Sequence, residues 1–433
     1  LIRTLTAAAL LVSSAALAEE RQTLTIDEAV TEALRVNDQL AAARYQAEGA
    51  EDTARSARGR LLPTMNASDT WQHWNAPFVI TLGPPGSSGL VARNVNTNVF
   101  TVAAQQPVVG LLHRERDLKA AGSSAEASRA NQAAAQADVA EQVRTTYLRL
   151  FEARAGISIA ESSVEQLRKQ VQDAQARYNA GTITKADLLR FQTAEANAQQ
   201  QRIQASTQAQ IARQLLLTLL ARNPEDPTLD FVEPVDLEHQ AAFPLGSTND
   251  ELINRALQNR PEVQRAQKEA EAARANGQAR MLELLPEVDV QAAYSNVRGQ
   301  VFQPESASFI GVVANWPFWT WGTRWYSAQS AQRKADAAGS QLQGTRKQVA
   351  YEVASKVSLL DAQFVVVQVA ETAVASAEEA YRVTSAQVSA GTATTTDLLD
   401  AQSALTTAKL NLARAQYERT IARVQLDRAV ASK

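Results

Sequence analysis

Two carboxylates, Asp397 and Asp400, stand three residues apart late in the chain. On a helix this spacing puts both on one face, where they can attract a cation. Asp397 also closes a Thr-x-x-Asp pattern with Thr394, so it is placed to cap its own helix and to favour the positive helix end. Both roles stay open for it. Asp400 lies past the capping position, which favours the binding role there. The matching positions of an earlier copy hold Asp187 and Arg190, so only the later copy is doubly acidic. The three histidines, His73, His113 and His239, are far apart without metal-ligand spacing and read as surface or interface residues. No H-E-x-x-H, G-x-S-x-G or Walker loop occurs. The expectation is no enzyme, no cofactor and no resident metal, with energy supplied by a partner. The sequence contains no cysteine, which excludes disulfides, thiolate metal sites and a lipidated N-terminal Cys.

The elements that must hold these aspartates occur twice. Residues 180–194 read AGTITKADLLRFQTA and residues 390–404 read AGTATTTDLLDAQSA, with nine of fifteen positions identical at an offset of 210. Gly181 and Gly391 suit the left-handed residue just past a helix end. Thr182 and Thr392 follow them, and Thr184 to Asp187 and Thr394 to Asp397 are box-like helix starts. Each copy therefore predicts a tight turn between two helices. These solvent-facing tips are candidate docking surfaces.

A second repeat precedes each turn. Residues 28–63 align without gaps on residues 251–286 at an offset of 223, and both end in Leu-Leu-Pro. Beyond that point the period changes from helical to alternating, as in Val288, Val290, Ala292 and Tyr294. Strands are expected over about 65–80 and 95–108 in one copy, and about 287–302 and 308–317 in the other. A Gly/Pro/Ser-rich loop between the first pair accounts for the thirteen-residue drop in offset. Pro107 and Pro317 then lead into proline-free stretches, the first long enough for a helix of about 100 Å. Val164, Leu167, Val171, Ala174 and Tyr178 keep a 3,4 seam of coiled-coil type.

All six tryptophans, Trp71, Trp74, Trp316, Trp319, Trp321 and Trp325, lie in or just after the strands. A soluble hairpin would use them as core; beside an export signal they read as an aromatic girdle at a lipid interface. That signal is Arg3, an apolar run over residues 5–15 and Ala16-Leu17-Ala18. No other stretch has about 18 uninterrupted apolar residues, so no transmembrane helix is expected. The predicted division is 1–18 signal peptide, 19–222 first repeat, 223–249 inter-repeat strap, and 250–433 second repeat. A net charge of −3 gives no reason to expect a nucleic-acid partner. Hydrophobic content is 45% and much of it alanine, with 6% aromatics, which favours long, closely packed helices. Four strands cannot close a barrel, and open edges cannot face lipid, so several chains must share one.

The order of signal, helix, Leu-Leu-Pro, strand pair, Pro, long helix, Ala-Gly-Thr turn, Asp-Leu-Leu and return helix, duplicated after the signal, resembles the TolC-type outer-membrane efflux channels. The turn from Gly391-Thr392 to Asp397-Leu398-Leu399-Asp400-Ala401 carries the most specific part of that resemblance. It implies a mainly α fold with a membrane β-barrel portion: a homotrimer with a shared 12-stranded barrel in the outer membrane and an α-barrel crossing the periplasm. It implies an export conduit for drugs, metals or proteins, as in tripartite efflux or type I secretion, opened by a periplasmic adaptor and an inner-membrane pump. It also implies that Asp397 and Asp400 match the two aspartates that line the closed periplasmic entrance and select cations. Where the family has its gate-locking Tyr and Arg, this chain has Val388 and Ala393, a departure in the lock and not in the turn. The rival reading is a periplasmic coiled-coil scaffold or adaptor without a pore.

Overall fold

The computed structural model describes residues 22–84, 86–234 and 248–431. The signal at 1–18 and residues 235–247 of the strap lie outside these. In order the chain forms β1 (Gln22–Leu24), α1 (Ile26–Val36), α2 (Asp38–Gly59), β2 (Thr64–His73), β3 (Phe78–Ile80), β4 (Leu90–Pro107), α3 (Gly110–Asn179) and α4 (Lys185–Leu219). After β5 (Leu229–Phe231) come α5 (Asn249–Asn259), α6 (Pro261–Leu282), β6 (Glu287–Gln300), β7 (Ser306–Asn315), α7 (Thr323–Ser389) and α8 (Thr395–Val430).

Local chemistry sets the helix starts. Thr25 with Glu28 and Thr248 with Glu251 form the same capping box at α1 and α5. Asn37 caps α2 by accepting from the Gln39 N–H at 2.9 Å. Its counterpart Arg260 makes no side-chain cap; instead Pro261 occupies the first turn of α6, where its missing N–H costs nothing.

The long helices pair α3 with α4 and α7 with α8, while α6 lies between α3 and α7. One core cluster joins α1, α3, α4, α8 and the short strands through Tyr147, Leu148, Leu216 and Leu217, all fully buried. Each such leucine stabilises the fold by roughly 1.5–3 kcal/mol. A second cluster joins α5, α6, α7 and α8 around Ala256, Val263 and Val353. Ala33 and Leu40 of the first cluster are the repeat partners of Ala256 and Val263 of the second. At this level β1 pairs in parallel with β5. The Tyr147 hydroxyl shares its one proton between the Leu24 carbonyl, at 2.9 Å, and that of Val232, and burial pushes the phenol up to about 12. Arg154 grips the same strand through Asp230 at 2.6 Å and the Phe231 carbonyl at 3.1 Å.

The main sheet runs β2-β4-β6-β7, all antiparallel, with β3 added to β4. The β4–β6 pairing joins the two repeats. Gly299 (φ 82) sits where that ladder shifts register, and a Cβ there would lie 2.2 Å from the Asn96 carbonyl oxygen, so the position requires glycine. The single strand expected over 65–80 is broken after His73. Pro77 has no N–H for the ladder, and β3 resumes with a shifted register. β4 begins at Leu90, earlier than the alternation alone suggested, because β3 gives its first residues a partner. β2 and β7 leave both sheet edges open in the single chain, and nearly all their residues are exposed.

α7 does hold a stretch long and apolar enough to cross a membrane by length and composition. Scattered polar residues divide the stretch, so it contains no uninterrupted apolar run of that length. Phe364, Val365, Val366 and Val369 stand exposed on this helix, which packs on α6 and α8. In the single chain they form an uncovered apolar face.

Candidate functional site

The two tips are built alike, atom for atom. At the end of α3 the Thr182 N–H donates to the Arg177 carbonyl and the Gly181 N–H to that of Tyr178, both at 2.9 Å. At the end of α7 the Thr392 N–H donates to Gln387 at 2.9 Å and the Gly391 N–H to Val388 at 3.1 Å. This crossed pair needs a left-handed residue, and Gly181 and Gly391 supply φ 76 and φ 74. A Cβ at either glycine would meet no atom within 4 Å. The glycines therefore answer a backbone demand, and the space above them is open.

Each return helix starts with a reciprocal box. The Asp187 carboxylate accepts from the Thr184 hydroxyl at 2.6 Å and N–H at 3.2 Å. The Asp397 carboxylate accepts from the Thr394 hydroxyl at 2.7 Å and N–H at 2.8 Å. These hydrogen bonds, the hydroxyl one foremost, hold the Asp397 carboxyl below its ordinary value. Crowding of several carboxylates would act in the opposite direction. Asp397 and Asp400 are both exposed on the first turns of α8, on one side of the tip.

The structure also brings the two tips together. Leu188 and Phe191 of α4 bury against Leu398 of α8, with Tyr381 and Val388 beside them. Arg190, which stands at the repeat position of Asp400, donates to the Thr396 hydroxyl at 2.8 Å. Further along, Gln170 donates to the Tyr381 hydroxyl at 3.2 Å, and Gln402 to the Gln166 side-chain oxygen at 2.7 Å. Sequence reasoning found neither the Arg190 tie nor this polar ladder. Each partner lies some 200 residues from the other, and no local pattern in the sequence marks them.

The tryptophans fall into two groups at opposite ends of the sheet. Trp71 is on the far end of β2, and Trp74 follows it. Trp316 and Trp319 leave β7 on the helix side, followed by Trp321 and Trp325. Trp71, Trp316 and Trp319 are exposed, whereas Trp74 is half-covered. The Arg93 guanidinium sits 3.5 Å from the Trp74 ring centre, and the indole N–H donates to Thr97 at 3.2 Å. His73 stacks near Trp71, and His113 lies in the first turn of α3. His239 lies outside the described residues.

The chain matches the family model described as "Outer membrane efflux protein" over residues 29–222 and 252–432. No curated protein matches it by sequence. Among solved structures it is similar to the outer-membrane channel OprN, with 20% identity, 94% of this chain and 90% of that one covered, and a TM-score of 0.83. It is similar to VceC from Vibrio cholerae at 19% identity, covering 94% and 96%, with a TM-score of 0.79. It is also similar to the CmeC outer-membrane channel of Campylobacter jejuni at 16% identity, covering 94% and 85%, with a TM-score of 0.82. At these identities the likeness establishes the fold.

Proposed function

The chain belongs to the outer membrane efflux protein family, and from that membership we propose that three copies build one conduit through a shared twelve-stranded barrel. The protein is a passive outer-membrane channel that extends into the periplasm, and not an enzyme. The observation that carries the shared barrel is the open-edged sheet. β2 and β7 have ten residues each, which fits the roughly 9–11 that a tilted strand needs to cross a membrane. Their unpaired edges cannot face lipid, and neighbouring copies satisfy them. The exposed valines of α7 support the same arrangement, since a neighbouring copy would cover them. Trp71 and Trp74 at one end of the sheet, and Trp316 and Trp319 at the other, then serve as the two interfacial girdles.

In this reading residues 19–222 and 250–433 act as the two repeats and 223–249 as an equatorial strap. The tips at Gly181, Thr182 and Asp187 and at Gly391 and Thr392 receive a periplasmic adaptor, which connects the channel to an inner-membrane pump. Asp397 and Asp400 line the entrance. The cargo class is drugs, metals or proteins.

Assembly is tested directly. Detergent-purified protein should have the mass of three chains, and cells should retain it in the sarkosyl-insoluble envelope. A stable monomer with intact strands, or a sarkosyl-soluble protein, would overturn the shared barrel and favour a scaffold.

The docking role is tested at the glycines. Gly181→Val or Gly391→Val forces a branched residue into the left-handed region at a cost of about 1–2 kcal/mol, without a clash. Export, read as drug susceptibility, should fall while outer-membrane insertion persists. Normal export in both variants would remove the tips as the docking surface.

A further inference from the structure

We propose that His113, Asp117 and Glu283 form a divalent metal site, of Zn2+ type, at the joint between the helices and the membrane strands. One ligand-capable atom from each of the three lies within 4.8 Å of the others, and all three side chains are half-buried. His113 and Asp117 are four residues apart on α3, so they share one helix face. Glu283 reaches them from α6, where it is the C-cap residue. It sits where the exposed carbonyl ends of the helix favour positive charge.

A cavity of about 250 Å3 opens beside the triad and is lined by His113, Glu283, Glu287 and Arg324 among others. It leaves room for the water that completes a coordination shell. Arg280 holds one oxygen of Glu283 in an ion pair, which fixes the carboxylate and leaves its second oxygen for an ion. One imidazole nitrogen and two carboxylate oxygens suit a borderline transition ion. Mg2+ and Ca2+ prefer oxygen ligands alone.

The place gives the ion a function. β4 runs into α3, and α6 runs into β6; the Val108 N–H donates to the Val288 carbonyl at 2.8 Å between these two crossings. An ion held by α3 and α6 clamps the two repeats where helix becomes strand. The inference needs only the fold of one chain and stands apart from the channel reading.

The test uses the full-length detergent-purified protein without a histidine tag, stripped with EDTA and titrated calorimetrically with Zn2+. With the tip carboxylates removed by Asp397→Ala and Asp400→Ala, the otherwise wild-type protein should bind one ion per chain, and Zn2+ should raise its Tm. His113→Ala and Asp117→Asn should each weaken binding by at least about 100-fold, the upper end of what an outer-shell change costs, and lose the Tm shift. His73→Ala should bind like wild type. His113→Cys should recover tight binding, with Cd2+ now preferred to Zn2+. The proposal is overturned if wild type shows no saturable Zn2+ binding. It is equally overturned if His113→Ala and Asp117→Asn, with wild-type circular dichroism, keep wild-type affinity, or if His113→Cys binds neither ion.

Discussion

Replacing Asp397 and Asp400 together by alanine is expected to abolish high-affinity block by multivalent cations from the periplasmic side, while the assembly still conducts. Both carboxylates are exposed on one side of the α8 tip. In the proposed trimer six of them would surround one axis, and a multivalent cation there would be attracted by all six. Removing all six should weaken block by at least about 100-fold, because their attractions for a divalent ion add at short range. The single variants separate the two roles. Asp400→Ala should weaken block and leave thermal stability unchanged, since no hydrogen bond ties it to the helix start. Asp397→Ala should weaken block and also loosen the helix start, because Thr394 loses its acceptor. Acid should relieve the block in wild type. Thr394 holds Asp397 below its ordinary 3.8, so that group keeps its charge until the pH falls below this value. Planar-bilayer recordings decide the matter. A double variant blocked as tightly as wild type would reduce both aspartates to helix-start residues.

The second large effect is expected in the buried ion network at the end of α8. Arg428 of α8 is almost fully buried; it donates to Asp138 of α3 at 3.0 Å and is ion-paired with Glu262 of α6. Glu262 also meets Arg260, which in turn pairs with Glu352 of α7 at 2.6 Å. The network thus links four elements and both repeats. Burial opposes the charge on Glu262, yet the Arg428 hydrogen bond and charge hold its carboxyl down to about 2. Arg428→Ala leaves that carboxylate without its main partner and should destabilise the protein by about 3 kcal/mol, the low end for breaking a buried pair. Arg428→Lys should fall between, since an ammonium keeps the charge but not the planar fork.

The pH dependence carries the sign of a depressed carboxyl. Glu262 contributes its full share of stability above its ordinary 4.5 and loses that share as pH falls toward about 2. The Tm difference between wild type and Arg428→Ala should therefore be widest near neutrality and close across that window. A difference that stays constant from pH 7 to pH 3 would locate the damage in packing and not in the charge.

What the sequence determined by itself was local. Glycine at φ near 75° and Thr-x-x-Asp starts act over three to six residues, so both tips were legible from their spelling alone. Leu-Leu-Pro, Pro107 and the change from helical to alternating period marked where helix gives way to strand, because proline and side-chain periodicity act within one turn or one pleat. The duplicated order of these signals is what made the architecture readable. Tertiary structure decided the partners. That Arg190 reaches Thr396, that Gln170 meets Tyr381, and that Glu283 closes on His113 and Asp117 depends on how distant helices align. A seam in the sequence names a face but not what lies against it. The same limit explains Arg260. It stands at the repeat position of the Asn37 cap, yet the fold supplied Glu262 and Glu352, and it became the centre of a buried ion network. It explains α7 as well. The proline-free stretch after Pro317 predicted a long helix, and only the packed chain revealed that its valines remain uncovered, because burial is a property of neighbours and not of the residue.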